Sequence, residues 1–166
     1  MDKYEWKVIK LMIKNLQNVD IPVAEYLQKK EEKDLNFFQE CIAKTNQFSA
    51  KYVLEKMVER HQQHIDTLKT DIQLVRDDLA VIDDLTEIEH KYSVQDLCEE
   101  FDLSTLTFVE AIKLAIRIAE NDIAFYQRIL EKDLKSVSRE ALKRILSEKS
   151  NYIKFLKTEH RRLSYK

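Results

Sequence analysis

The chain has 166 residues, of which 44% are hydrophobic and 35% charged, with no glycine and one proline. That length carries one domain with its own core, and a chain without glycine argues against strands joined by tight turns, so the expected class is all-α. Its 28 basic and 30 acidic residues are interleaved, net charge −2, which leaves no basic footprint for nucleic acid.

No apolar run reaches membrane-spanning length, and the opening stretch MDKYEWKVIK is too charged and amphipathic for a signal peptide. The expectation is a soluble cytoplasmic protein. Cys41 and Cys98 are isolated, which excludes a CxxC zinc or redox motif, and Cys41 falls on an apolar helix face.

Residues 2–18 read as a first helix, with Trp6, Ile9, Met12, Ile13 and Leu16 at helical spacing. NVDIP (18–22) ends it, because the residue before a proline avoids the helical region. A second helix runs from Pro22 or Val23 to Thr45, proline suiting its first turn. Residues 46–49 make a turn, and Ser49 is the expected N-cap of a very long helix reaching about residue 83. Residues 84–106 read as irregular or short helix, with Ser93 a cap. TFVE (107–110) is a capping-box pattern that opens a helix to about residue 133. Ser136 or Ser138 caps a last helix that runs nearly to the C-terminus.

Long helices joined by short turns pack as an antiparallel bundle. The expected architecture is a single domain over 1–166, with one hairpin at about 22–83, a linker at 84–106 and a second hairpin at about 107–163. The Trp6 helix is extra to these four. It caps the bundle or offers its apolar face to a second subunit, so a homodimer is the expected assembly, without nucleic acid or membrane as partner.

An internal repeat runs through both hairpins. EKDLNFFQECI (32–42) aligns with ENDIAFYQRIL (120–130), 88 residues later, and at the same offset HIDTL (64–68) falls on YIKFL (152–156). No gap is needed across two helices and a turn, so one helix hairpin reads as used twice, related by a pseudo-twofold axis.

Four ionisable groups lie near mid-helix on the predicted core stripes: Glu31, His61, His64 and Glu148. On a core face such groups are paired, neutral or metal-bound. A core glutamate seven residues before an aromatic, followed by a helix carrying Glu-x-x-His, is the ferritin-like carboxylate pattern, and the Glu31–Phe38 spacing resembles its first part. VEAIKLAIRIAENDIAFYQRIL (109–130) is similar to the corresponding helix of rubrerythrin-type proteins.

The resemblance implies a ferritin-like four-helix bundle and, in that family, a di-iron site. Residue by residue the ligand set is incomplete. Glu31 and His64 match, His61 stands for a glutamate, Ala119 for a glutamate with Glu120 adjacent, Lys149 for a glutamate with Glu148 adjacent, and Tyr152 for a histidine. The rubredoxin-like cysteine pair that accompanies rubrerythrins is missing. Two readings stand at this point. In one, Glu31, His61, His64 and Glu148 hold a single iron, zinc or manganese ion, and with iron the resemblance implies iron oxidation or peroxide reduction. In the other, the same groups hydrogen-bond to one another, and the chain is a non-catalytic helical interaction or structural protein.

His90 and His160 stand alone near predicted helix ends and read as exposed, and Lys157, Arg161 and Arg162 as a solvated basic face. No serine on a strand-to-helix elbow and no glycine-rich phosphate loop is present.

Overall fold

The computed structural model of the chain describes residues 20–72, 79–81, 96, 98–132, 134 and 136–165. The expected helix over 2–18, the Ser93 cap and His90 lie outside these residues. Among the described residues four long helices carry the fold: α1 (Val23–Lys44), α2 (Phe48–Ile72), α3 (Phe108–Leu130) and α4 (Ser136–Ser164). Helix pairs α1–α2 and α3–α4 are each joined by a few residues, which makes each pair a hairpin.

Two expectations are corrected. The second helix of the first hairpin does not reach residue 83: α2 stops at Ile72, and β2 (Leu79–Val81) is extended. It pairs antiparallel with β1 (Asp20–Pro22), Asp20 opposite Val81 and Pro22 opposite Leu79. The residue before Pro22 is biased to extended backbone, and an extended segment with free backbone groups recruits a partner strand. Ser49 does not cap α2, since the helix already begins at Phe48.

The helix ends show local chemistry at work. Thr107 caps α3: its hydroxyl accepts from the Glu110 N–H at 3.2 Å, and the Glu110 carboxylate accepts from the Thr107 N–H at 2.8 Å. This satisfies two of the orphan donors that every helix start exposes. At the end of α1, the Thr45 N–H bonds the Ile42 carbonyl at 3.2 Å and the Thr45 hydroxyl donates to the Cys41 carbonyl at 2.8 Å. Asn46 then donates to the Ser104 carbonyl at 3.1 Å, tying the first hairpin to the crossover before α3.

Apolar residues fill two clusters. One gathers Phe38, Leu54, Met57, Leu106, Ile112 and Leu114; the other Leu27, Leu68, Phe125, Leu142 and Ile145. Each fully buried leucine or phenylalanine contributes roughly 1.5–3 kcal/mol. Between the two clusters the buried residues are Lys30, Glu31, Asp34, His61, His64, Ile65, Ala119, Asp122 and Lys149, polar or small in all cases but Ile65.

Burial follows the 88-residue offset. Val23, Tyr26, Leu27, Lys30, Glu31, Asp34, Phe38 and Cys41 are buried in α1, and so are the residues 88 positions on in α3, namely Ala111, Leu114, Ala115, Ile118, Ala119, Asp122, Tyr126 and Ile129. In α2, Ala50, Val53, Leu54, Met57, His61, His64, Ile65 and Leu68 are buried. Their counterparts in α4, Ser138, Ala141, Leu142, Ile145, Lys149, Tyr152, Ile153 and Leu156, are buried too.

Candidate functional site

The polar layer between the apolar clusters draws on all four helices: Lys30, Glu31 and Asp34 from α1, His61 and His64 from α2, Asp122 and Tyr126 from α3, and Lys149 from α4. Every one is buried. Helical spacing explains the grouping. Residues three or four apart share a face, so Lys30 and Asp34, or His61 and His64, stack one turn apart toward the bundle axis.

Glu31 is fully buried, and both its oxygens are engaged. Oε1 accepts from the Tyr126 hydroxyl at 2.5 Å and lies 3.1 Å from the Lys149 ammonium. Oε2 accepts from His61 Nδ1. Lys149 Nζ reaches a second carboxylate, 3.2 Å from Asp122 Oδ2, and His61 Nε2 is 3.7 Å from that same oxygen. On the far side, Lys30 pairs with Asp34 and stands 3.7 Å from Asp122 Oδ1. Aromatic faces support the cations: Lys30 Nζ is 4.6 Å from the Phe125 ring centre and Lys149 Nζ 5.0 Å from that of Tyr126.

Burial alone would neutralise such groups, and mutual charge overrides it. Burial pushes the Glu31 carboxyl up, yet Lys149, His61 and Lys30 together hold it well below the usual carboxylate range. Asp122 likewise goes down against burial, under the pull of Lys149 and Lys30. Lys149 and Lys30 resist desolvation and rise, because Asp122 stands beside both, with Glu31 next to Lys149 and Asp34 next to Lys30. Asp34 differs: burial raises it, and the neighbouring Asp122 adds to the rise, against the pull of Lys30. Burial and the adjacent Glu31 charge put the Tyr126 hydroxyl well above its ordinary value, so it stays a neutral donor.

His64 stands to one side. Its Nε2 is 3.3 Å from Oε2 of Glu148, a side chain more than half exposed. Its Nδ1 is buried without a hydrogen-bond partner. Burial first and the Lys149 charge second bring its pKa down to about 3. It borders a cavity of about 20 Å³ lined by Met57, Arg60, His61, His64, Ala119, Asp122, Lys149 and Tyr152. That is room for one water-sized group. The Arg60 guanidinium, 3.8 Å from the Tyr152 ring centre, lies over that ring at the cavity wall.

Of the four residues singled out in the sequence, Glu31 and His61 bond each other, and His64 meets Glu148 as a separate pair. The imidazole centres of His61 and His64 are 6.4 Å apart. The core stripe of α4 is corrected: it runs Ile145, Lys149, Tyr152, Leu156, and Glu148 points outward. His160 is half-buried rather than exposed. Lys30, Asp122 and Lys149 were not anticipated as site residues, since lysine and aspartate are among the side chains rarest in cores. The repeat carried a signal for Lys149, which falls 88 residues after His61.

The ferritin-like pattern implies a metal held by bridging carboxylates. Here the space between Glu31 and Asp122 holds the Lys149 ammonium, so these residues as arranged form no ligand shell. Among the described residues no group of three histidine, cysteine, aspartate or glutamate side chains is placed to hold an ion. No described helix is long and apolar enough to cross a membrane. Compared with family models, curated proteins and solved structures, the chain matches none.

Proposed function

We propose that this chain is a divergent ferritin-like bundle, of the rubrerythrin type, in which a lysine replaces the metal cation, and that it serves as a non-catalytic helical interaction or structural protein. The observation that carries the reading is the position of Lys149, 3.1 Å from Glu31 and 3.2 Å from Asp122. An ammonium there neutralises facing carboxylates as a bridging cation would. It offers no open coordination position and carries no electrons, so it supports cohesion and not redox chemistry. The burial pattern supports a duplicated hairpin as the origin of the arrangement, with Ala119 at the counterpart of Glu31 and Lys149 at the counterpart of His61. The exposed Phe48, Tyr52 and Phe155 on α2 and α4 support a protein partner, with a homodimer as the assembly we favour.

A second reading rests on one specific atom. His64 Nδ1 is buried and unpartnered at the cavity edge. One iron, zinc or manganese ion bound through Glu31, His61, His64 and Glu148 would use it, provided Lys149 swung away. Elemental analysis of protein expressed with each metal separates the two. The lysine reading expects no stoichiometric metal in the native chain. About one equivalent in the native chain, lost in a His61→Ala/His64→Ala variant, would overturn it and establish the metal site.

A further inference from the structure

Cys41 lies near the end of α1 and Cys98 in the crossover that leads to α3, far apart in sequence. Both are free thiols, 2% and 7% exposed, and both belong to the same apolar cluster. The two thiols act on each other's protonation across that cluster. The surroundings hold the two segments together independently of the sulfurs. Asn46 bonds the Ser104 carbonyl at 3.1 Å, the Phe101 N–H closes a turn onto the Cys98 carbonyl at 3.1 Å, and Leu106 is buried in the shared cluster.

We propose that Cys41 and Cys98 form a reversible intramolecular disulfide that clamps the crossover to the end of the first hairpin. This goes beyond the reading of the polar layer and does not depend on it. A free cysteine in a core behaves as a small hydrophobe, but two that share one buried cluster, on segments tied by the Asn46–Ser104 bond, are placed for a bond that closes without large backbone movement. The roles of the two sulfurs differ. The neighbouring Cys98 and, against burial, the Lys44 charge lower the Cys41 thiol, while Cys41 and burial raise Cys98. Cys41 is therefore the attacking thiolate and Cys98 the resolving thiol.

The oxidant is a low-molecular-weight disulfide. The Cys41 thiolate attacks one of its sulfurs, the S–S bond breaks, and a mixed disulfide forms as one thiolate leaves. The Cys98 sulfur then attacks the Cys41 sulfur, loses its proton, and releases the second thiol. Two protein thiols are oxidised by two electrons and one small disulfide is reduced to two thiols.

The full chain is incubated with bis-hydroxyethyl disulfide, alkylated with iodoacetamide, and weighed intact without reductant. The expected product is lighter by two hydrogens, takes up no alkyl group, and yields on digestion one linked peptide pair containing Cys41 and Cys98. Its thermal midpoint rises by on the order of 5 °C and returns on reduction. In Cys98→Ser the reaction stops at the mixed disulfide, so the hydroxyethyl adduct accumulates on Cys41. Three outcomes would overturn the proposal: both thiols still open to alkylation once the chain is denatured, an adduct on each cysteine of the native chain, or a link between two chains.

Discussion

Lys149 and His61 reach the same carboxylate from different helices: Lys149 Nζ lies 3.1 Å from Oε1 of Glu31, and His61 Nδ1 donates to Oε2. They are also 88 residues apart, at corresponding positions of α2 and α4. Glu31 has its own counterpart at Ala119, which carries no charge and lines the cavity. One glutamate therefore joins α2 and α4. Lys149 and His61 both turn to Glu31 and Asp122.

Lys149→Met keeps the length of the side chain and removes its charge. Glu31 and Asp122 then stay buried with less compensation. Removing one partner of a buried ion pair costs about 3–5 kcal/mol, far more than a well-packed apolar replacement of the whole pair. Urea denaturation of the variant should show a loss of that size. The double variant Lys149→Met/Asp122→Asn should regain part of it, because the uncompensated carboxylate is gone. A loss under about 1 kcal/mol in the single variant would mean that the network contributes little to cohesion.

Tyr126→Phe deletes one donor to Glu31, the hydroxyl at 2.5 Å, and leaves the ring in its cluster. A hydrogen bond to a buried charge is worth about 1.5–3 kcal/mol. Arg162→Ala removes an ion pair of 2.7 Å with Glu159 on a largely exposed part of α4. That pair is expected to contribute less than about 1 kcal/mol. Equal losses from the two changes, read from the same denaturation curves, would contradict the weight placed on the core layer.

The four helices were legible because each leaves apolar residues at spacings of three and four over more than 20 positions. The end of α2 was not. Nothing in the helical period marks the stop at Ile72, and the strand at 79–81 depends on a partner some 60 residues earlier in the chain. The site was half legible. Spacing places Glu31, His61 and His64 on core faces. On α4, however, Glu148 and Lys149 stand three and four residues after Ile145, and periodicity cannot choose between them. The apolar prior rejects both equally. The expected 88-residue offset, which carries the burial of His61 across to Lys149, would choose Lys149.

Thr107→Ala tests the start of α3, where the sequence pattern and the structure agree atom for atom. Loss of a threonine N-cap costs about 1 kcal/mol. The hydroxyl accepts from the Glu110 N–H, so the variant leaves that donor to water. Thr107→Ser should restore most of the loss, since it keeps the acceptor. A serine variant as destabilised as the alanine one would assign the effect to the lost methyl group instead.

His64 makes the stability of the chain depend on pH above the range in which Glu31 and Asp122 lose their contribution. Its imidazole is buried, with the Lys149 and His61 groups disfavouring its charge, and Glu31 and Asp122 only partly offsetting them. The exposed Glu148 at its Nε2 stands in water and screens weakly. Its folded pKa of about 3 lies below the unfolded value of 6.5. Between those values the unfolded chain binds a proton there that the folded chain refuses. The contribution is therefore complete above pH 6.5 and drains as pH falls, by up to about 1.4 kcal/mol per pH unit. Glu31 and Asp122, both lowered in the fold, keep their contribution until the pH falls below the unfolded values of 4.5 and 3.8. Asp34, raised from 3.8, works with the opposite sign: its protonation favours the fold, and that contribution is lost as pH rises above 3.8. From pH 6.5 to 5 the native chain should thus lose roughly 1.5 kcal/mol that a His64→Gln variant does not lose, read from urea midpoints across the range. Parallel pH profiles for the two proteins would show that His64 takes up its proton inside the fold, and that the cavity beside it admits the charge.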